Sequence, residues 1–341
     1  MRKLALGRTG LVVTQLGFGG IPIQRLTEQE SVDLISACLD LGINFVDTAN
    51  GYTTSEERIG KAIRGRRHEL VIASKTGARD RAGARAHLEL SLKRLGVDHI
   101  DVHQLHNVGS PAAWEQVSGP GGALEALVEA REQGLIGHIG VSSHSLPVAK
   151  TLVTSGQFAT LQYPFNFVAD EAAKELLPLC REHGVGFIAM KPLGGGLIPH
   201  GRLAIRYLAQ FPDAVADPGI ERLDEMKELI AAVEESGELS AADAAEIERI
   251  REELGTRFCH RCDYCQPCPE GIAISTVLAI RSFVRRFPPA RAFGEATVAT
   301  VEKAAQCAEC GECETRCPYQ LPIREMLKVE AAGYFAARAS L

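Results

Sequence analysis

This 341-residue chain has one tryptophan and only 6% aromatic residues. It also lacks any apolar run near the roughly 20 residues that cross a bilayer. No lipidation signal is present, so no membrane is expected as a partner. Its 37 basic and 43 acidic residues are interspersed, giving a net charge of −6. Without a basic stripe to follow a phosphate backbone, nucleic acid is not expected either. The first apolar run is not followed by G-x-G-x-x-G, which argues against an open dinucleotide-binding sheet, and there is no flavin signature. The opening residues, Met1 to Arg8, break their apolar stretch after three positions and offer no signal-peptide core. A reducing, cytoplasmic setting is therefore expected, and disulfides are not.

Cysteine, by contrast, is concentrated. Eight of the ten fall in two runs, Cys259-x2-Cys262-x2-Cys265-x2-Cys268-Pro269 and Cys307-x2-Cys310-x2-Cys313-x3-Cys317-Pro318. The second has the bacterial-ferredoxin spacing: two-residue gaps let successive thiolates turn around one iron–sulfur cluster, and the proline stops helix continuation. The first run has a shortened last gap, and zinc remains an alternative there, although structural zinc usually joins two CxxC pairs across a longer loop. Cys38 and Cys180 lie in apolar helical patterns and read as small buried hydrophobes.

From residue 16 to about 235, short apolar runs alternate with amphipathic segments of helix length, the pattern of a parallel sheet with crossover helices. Strands are expected at 16–20, 43–49, 70–75, 100–106, 136–142, 160–166, 185–193 and 215–220. Helices are expected near 28–41, 55–64, 84–95, 122–133, 146–155, 170–183, 200–210 and 222–235. Thr27 to Glu30 and Thr53 to Glu56 have capping-box spacing. Eight repeats argue for an α/β fold closed as a (β/α)8 TIM barrel over residues 1–237. The segments 3–6 and 11–13, joined through Gly7 to Gly10, suggest a hairpin that plugs the barrel floor. Residues 238–341 then form a linker helix, Ser240 to Leu254, and a small helical ferredoxin-like domain, with 272–286 also helix-like.

Barrel enzymes take their chemistry from the C-terminal ends of strands. Asp47 closes the second expected strand, Tyr52 follows in its loop, Lys75 ends the third and His106 ends the fourth. Singly, each has an ordinary role as a cap, a packing ring, a solvated cation or a core histidine. Their placement together on three adjacent strand ends is what points to catalysis.

The segments Asn44 to Gly60 (NFVDTANGYTTSEERIG), Ala73 to Lys75 (ASK) and Ile100 to His106 (IDVHQLH) resemble the aldo-keto reductase family. The cysteine tail resembles the branch with a C-terminal ferredoxin-like 4Fe-4S domain. The resemblance implies hydride transfer between NADP or NAD and a small-molecule carbonyl or alcohol, with Asp47, Tyr52, Lys75 and His106 as catalytic tetrad. A tyrosine holds its proton at neutral pH and can give it to a carbonyl oxygen becoming an alkoxide. Lys75 would favour the phenolate left behind, Asp47 would anchor Lys75, and His106 would orient the carbonyl.

The same resemblance implies cofactor contacts from Gly19 and Gly20, from Ser142, Ser143 and Gln162 at the carboxamide, and from Met190, Lys191, Pro192, Leu193 and Gly194 along the nicotinamide and pyrophosphate. Gly219, Arg222 and Glu228 belong to the adenosine end. Ser143 replaces the family's usual asparagine, Met190 its usual aromatic ring, and Leu229 another asparagine. Arg222 suits a 2′-phosphate whereas Glu221 repels one, so the choice between NADP and NAD stays open. Two [4Fe-4S] clusters are expected, paired as in two-cluster ferredoxins: Cys259, Cys262 and Cys265 with Cys317, and Cys307, Cys310 and Cys313 with Cys268. They would act as a structural lid over the barrel mouth, as a relay to a redox partner protein, or as a sensor of iron or oxygen. An iron–sulfur oxidoreductase or a non-catalytic redox sensor built on this barrel is the competing reading. The loop 107–122 carries Trp114, either lining the substrate pocket or packing as an anchor.

Overall fold

The computed structural model describes residues 1–235 and 237–341. The chain divides into two compact units, Met1–Leu239 and Ser240–Leu341.

The first unit begins with an antiparallel hairpin, β1 (Lys3–Ala5) and β2 (Val12–Thr14). Eight parallel strands follow: β3 (Phe18–Gly19), β4 (Phe45–Asp47), β5 (Val71–Thr76), β6 (Ile100–Leu105), β7 (Ile136–Ser142), β8 (Thr160–Pro164), β9 (Gly186–Met190) and β10 (Ala214–Asp217). They lie in sequential order from β3 to β10. The parallel bridges Leu16 to Ala216 and Gly19 to Gly219 bring the two edges together. This is a (β/α)8 barrel with its helices outside. At the closure Gly19 and Gly219 have no room for a side chain: a Cβ on Gly19 would stand 2.7 Å from the Pro218 carbonyl oxygen, and one on Gly219 would stand 2.7 Å from Pro22.

Pleating decides what fills the barrel, because residues two apart on a strand share a face. Phe45, Val71, Ala73, Val102, Ile188 and Val215 form an apolar layer inside, joined by Leu4, Leu6 and Val13 of the hairpin. The hairpin therefore plugs the floor. Gly7 permits the close approach, since a Cβ there would lie 2.2 Å from the Gly186 nitrogen. Two positions further along the same strands come Asp47, Lys75, Gln104 and Asp217, all buried. The interior is thus apolar at the bottom and polar at the top.

Several local expectations change. Thr27 caps its helix, Glu28–Asp40, in a complete capping box with Glu30. Thr53 does not cap: its hydroxyl bonds Gln24 Oε1 at 2.7 Å, and Glu56 turns inward to accept from Ser74 Oγ at 2.6 Å. The segment 170–183 is two helices, Glu171–Glu175 and Leu177–Glu182, with Pro178 in the first turn of the second. The loop after β6 contains a further helix, Pro111–Ser118, in which Trp114 packs on Phe158 at 5.8 Å between ring centroids. Cys38 and Cys180 are buried in the core.

The second unit is helical. Ser240 caps Ala241–Gly255, and the helices Ile274–Leu278, Ile280–Arg286, Glu295–Glu302 and Ile323–Ala339 follow. One small core gathers Ile272, Ile274, Val277, Leu321, Ile323 and Leu327, with Cys265 buried in it and other cysteines packed against it. A second joins Ile280, Val298, Val301 and Tyr334. Among the described residues no helix is long and apolar enough to cross a membrane.

Candidate active site

Asp47 is the last residue of β4 and Lys75 the fifth of β5, and strand register sets them side by side across the barrel interior. Lys75 Nζ donates to Asp47 Oδ2 at 2.5 Å and to the Thr48 carbonyl at 2.7 Å. Both side chains are buried. Burial pulls the lysine pKa down, but its acidic neighbours, the Asp47 carboxylate first, outweigh it and hold the pKa above the ordinary value. Lys75 is therefore an ammonium at neutral pH.

The loop 48–55 folds back over this pair. Tyr52 N–H donates to the Ala49 carbonyl and Ser55 N–H to the Tyr52 carbonyl, while Ser55 Oγ ties the loop to the Gly20 carbonyl at 2.7 Å. A Cβ on Gly20 would come within 2.9 Å of that hydroxyl. The result places the Tyr52 ring centroid 5.2 Å from Lys75 Nζ. His106 follows β6 directly, and its ring meets Tyr52 edge-on, 5.8 Å between centroids at 79°. A buried ion pair thus lies beside two half-buried rings, and all four predicted tetrad residues come together.

Beneath them is a polar layer of which only Gln162 was expected from the sequence, and that as a cofactor contact; Gln104 and Asp217 were not. Gln104 Nε2 donates to Asp47 Oδ1 at 3.3 Å and to Gln162 Oε1 at 3.2 Å, and Gln162 Nε2 donates to Asp217 Oδ2 at 3.0 Å. Burial, then the neighbouring charge of Asp47, raises the Asp217 pKa well above the carboxylate range. The available signal was a lone acid near the end of an apolar strand, the same signal that marks Asp47.

The expected cofactor positions divide. Ser142 Oγ accepts from the Asn107 N–H at 2.8 Å. Ser143 Oγ closes a turn with Ser145, accepting from its N–H at 3.2 Å. Gln162 has both ends of its amide engaged in the interior, by Gln104 and Asp217. Met190 ends β9, and Lys191 after it has a left-handed backbone, φ 56°. Lys191 Nζ lies 2.8 Å from His144 Nε2, and His144 Nδ1 lies 2.9 Å from Asn107 Oδ1. Past Pro192 and Leu193, the glycines 194, 195 and 196 have φ of 58°, 69° and 91°. Gly194 N–H donates to the Lys191 carbonyl and Gly196 N–H to the Leu193 carbonyl, both at 2.9 Å, so the segment is a tight hydrogen-bonded turn. Arg222 opens the helix Leu223–Glu234, where it pairs with Asp224 at 3.1 Å and Glu225 at 3.2 Å, and Glu228 is exposed on that helix. Burial raises the pKa of Glu221, which pairs with Arg25 at 3.4 Å.

In the second unit two small cavities lie among the cysteines. Cys259, Cys262, Cys265 and Cys317 line the first with Tyr264, Tyr319 and His260, whose ring stacks on Tyr319 at 3.6 Å. Cys268, Cys307, Cys310 and Cys313 line the second, which Cys265 also borders. Burial pushes the Cys265 thiol up to about 12 and that of Cys259 up to about 11. Such thiols become thiolates when metal takes the place of the proton. Among the described residues no three metal-binding side chains converge as a single ion requires. Four cysteines spread around a cavity suit a multi-atom cluster better than tetrahedral zinc.

Comparison with known proteins agrees with this geometry. The model of the aldo/keto reductase family matches residues 15–203, more than half of the chain, and that of a 4Fe-4S dicluster domain matches residues 258–322. The uncharacterized oxidoreductase YrpG of Bacillus subtilis is 33% identical over 225 residues, covering 58% of this chain and 68% of the relative. The aldo-keto reductase YhdN of the same organism is 28% identical over 260 residues, covering 70% and 76%. Among solved structures, aldo-keto reductase AKR11C1 from Bacillus halodurans, in its holo form, superposes with a TM-score of 0.62 at 26% identity, covering 73% of this chain and 96% of its own. An aldo/keto reductase from Klebsiella pneumoniae in complex with NADP and acetate gives 0.62 at 25% identity, covering 74% and 96%. With its barrel and its C-terminal 4Fe-4S domain, this chain belongs to the aldo/keto reductase family and is an NAD(P)-dependent oxidoreductase.

Proposed function

We propose that the barrel interconverts a small-molecule carbonyl and its alcohol, with Tyr52 as general acid in the reducing direction. The observation that carries this is the position of Lys75 Nζ, 2.5 Å from Asp47 Oδ2 and 5.2 Å from the Tyr52 ring. A bound reduced nicotinamide supplies the hydride. Tyr52 gives its hydroxyl proton to the carbonyl oxygen as the oxygen becomes an alkoxide. The Lys75 ammonium stabilises the phenolate that remains, and Asp47 keeps that ammonium in place. His106 donates to the same oxygen and fixes its direction.

The glycine turn 194–196, which has no side chains, would let the dinucleotide's pyrophosphate approach the backbone, with Met190 against the nicotinamide. The NADP-bound Klebsiella relative supports NADP, with Arg222 available to the 2′-phosphate once released from Asp224 and Glu225. Ser142 Oγ accepts from Asn107 and keeps its own hydroxyl proton to donate to the carboxamide, while Ser143 and Gln162 would meet it with their remaining donor or acceptor sites. In the second unit, Cys259, Cys262, Cys265 and Cys317 would hold one [4Fe-4S] cluster, and Cys268, Cys307, Cys310 and Cys313 the other. The clusters supply one-electron exchange or hold the unit together. An intact acid, cation, carboxylate and histidine favour the enzyme over a sensor.

Tyr52→Phe tests the acid: carbonyl reduction should fall by about 10²–10⁴-fold in anaerobically purified protein with the cofactor still bound. An unchanged rate overturns the assignment.

A further inference from the structure

Asp217 is a buried acid that the proposed reaction leaves without a task. Its Oδ2 accepts from Gln162 Nε2, while its Oδ1 is buried and receives no hydrogen bond from any protein donor. Besides Gln162, the group that interacts with this carboxyl in the interior layer is another acceptor, the Asp47 carboxyl. Asp47 already takes the Lys75 ammonium on Oδ2 and the Gln104 amide on Oδ1. One ammonium thus serves two carboxyls in a water-excluded interior. Both cannot ionise at such close range, so one keeps a proton that serves both. Asp47 has the cation and an amide, whereas Asp217 has a single amide. The proton belongs on Asp217, directed at Asp47, where it also satisfies the otherwise unpaired oxygen. The titratable groups facing this site are Asp47, Lys75 and, beyond the lysine, Tyr52. Gly19 makes room for the arrangement, since a Cβ there would stand 3.1 Å from Asp217 Oδ1.

We propose that Asp217 is a positioning residue: it donates a carboxylic acid proton to Asp47 and keeps the Asp47, Lys75 and Asp217 cluster neutral, with the ammonium directed at Tyr52. The inference rests on the carbonyl-reductase reading for its catalytic consequence, but the proton itself is observable without turnover. Asp217→Asn keeps an acceptor for Gln162 and a donor for Asp47 without a titrating group. Asp217→Leu removes both.

The test is infrared spectroscopy of wild type and Asp217→Asn at neutral pH, with ultraviolet titration of Tyr52 taken as the difference from Tyr52→Phe. A protonated-carboxyl band present in wild type and lost in Asp217→Asn supports the proposal, as does an unchanged Tyr52 titration in that variant. Expected kinetics are a kcat within about 3-fold of wild type for Asp217→Asn, and a loss of about 10-fold or more for Asp217→Leu with unchanged cofactor KM, rescued by the asparagine. Absence of the band, or a Tyr52 titration shifted downward in Asp217→Asn because a negative charge has been removed, overturns it. If Tyr52→Phe were fully active while the band was present and Asp217-dependent, the reductase reading would fall and the shared proton would stand.

Discussion

The two units reach order by different means. In the barrel unit, Phe45, Val102, Val215 and their neighbours pack inside the sheet, and a larger apolar layer lies between the sheet and its helices. Polar groups such as Asp47 and Lys75 can then be buried, because the surrounding packing supports the expense. In the cysteine unit, two small apolar clusters face thiols that burial keeps protonated. The first can position chemistry by packing alone; in the second, the proposed clusters would complete the core.

The largest expected break in this contrast comes from removing iron. In full-length protein treated anaerobically with chelator, the melting transition of the cysteine unit should disappear from calorimetry while that of the barrel unit and the binding of nicotinamide persist. Loss of both transitions together would mean that the barrel also depends on metal.

A smaller effect belongs to the barrel alone. His103 on β6 is fully buried with neither ring nitrogen hydrogen-bonded, and burial, followed by the nearby charges of His87 and Lys75, lowers its pKa from 6.5 to about 3. The unfolded chain therefore binds a proton that the folded chain refuses between these values. Stability is complete above about pH 6.5 and is lost as pH falls towards 3, by up to about 1.4 kcal/mol per pH unit from this residue. Denaturant unfolding of His103→Leu between pH 7 and pH 4 should show a correspondingly shallower decline; an unaltered slope would refute the account.

The smallest change is at the surface. Thr27→Ala removes the capping box on Glu28–Asp40 and should lower barrel stability by about 1 kcal/mol without affecting the cysteine unit.

The barrel was legible because short apolar runs and helix-length segments repeat eight times, and that repetition outweighs errors at single ends. His106, for instance, falls just outside β6 rather than within it. The convergence of Asp47, Tyr52, Lys75 and His106 was legible because strand ends are where a barrel places its chemistry. Thr53 misled because the local capping signal lost to a tertiary one: Glu56 is held in the interior by Ser74 and by Arg94 at 3.5 Å. The helix Pro111–Ser118 is short and looked like loop. Gln104 and Asp217 were unread because a single polar residue in an apolar strand does not say which face it occupies until register is known.

The hairpin at the barrel floor bears on how the protein is made. Leu4 and Val13 precede the barrel strands in the chain, yet the apolar cluster they join includes Ile188 and Val215, near the far end of the same unit. Such contacts between distant parts of the chain close slowly. The hairpin must stay undocked until almost the whole barrel has been synthesised, which makes it the last piece of the barrel to be seated.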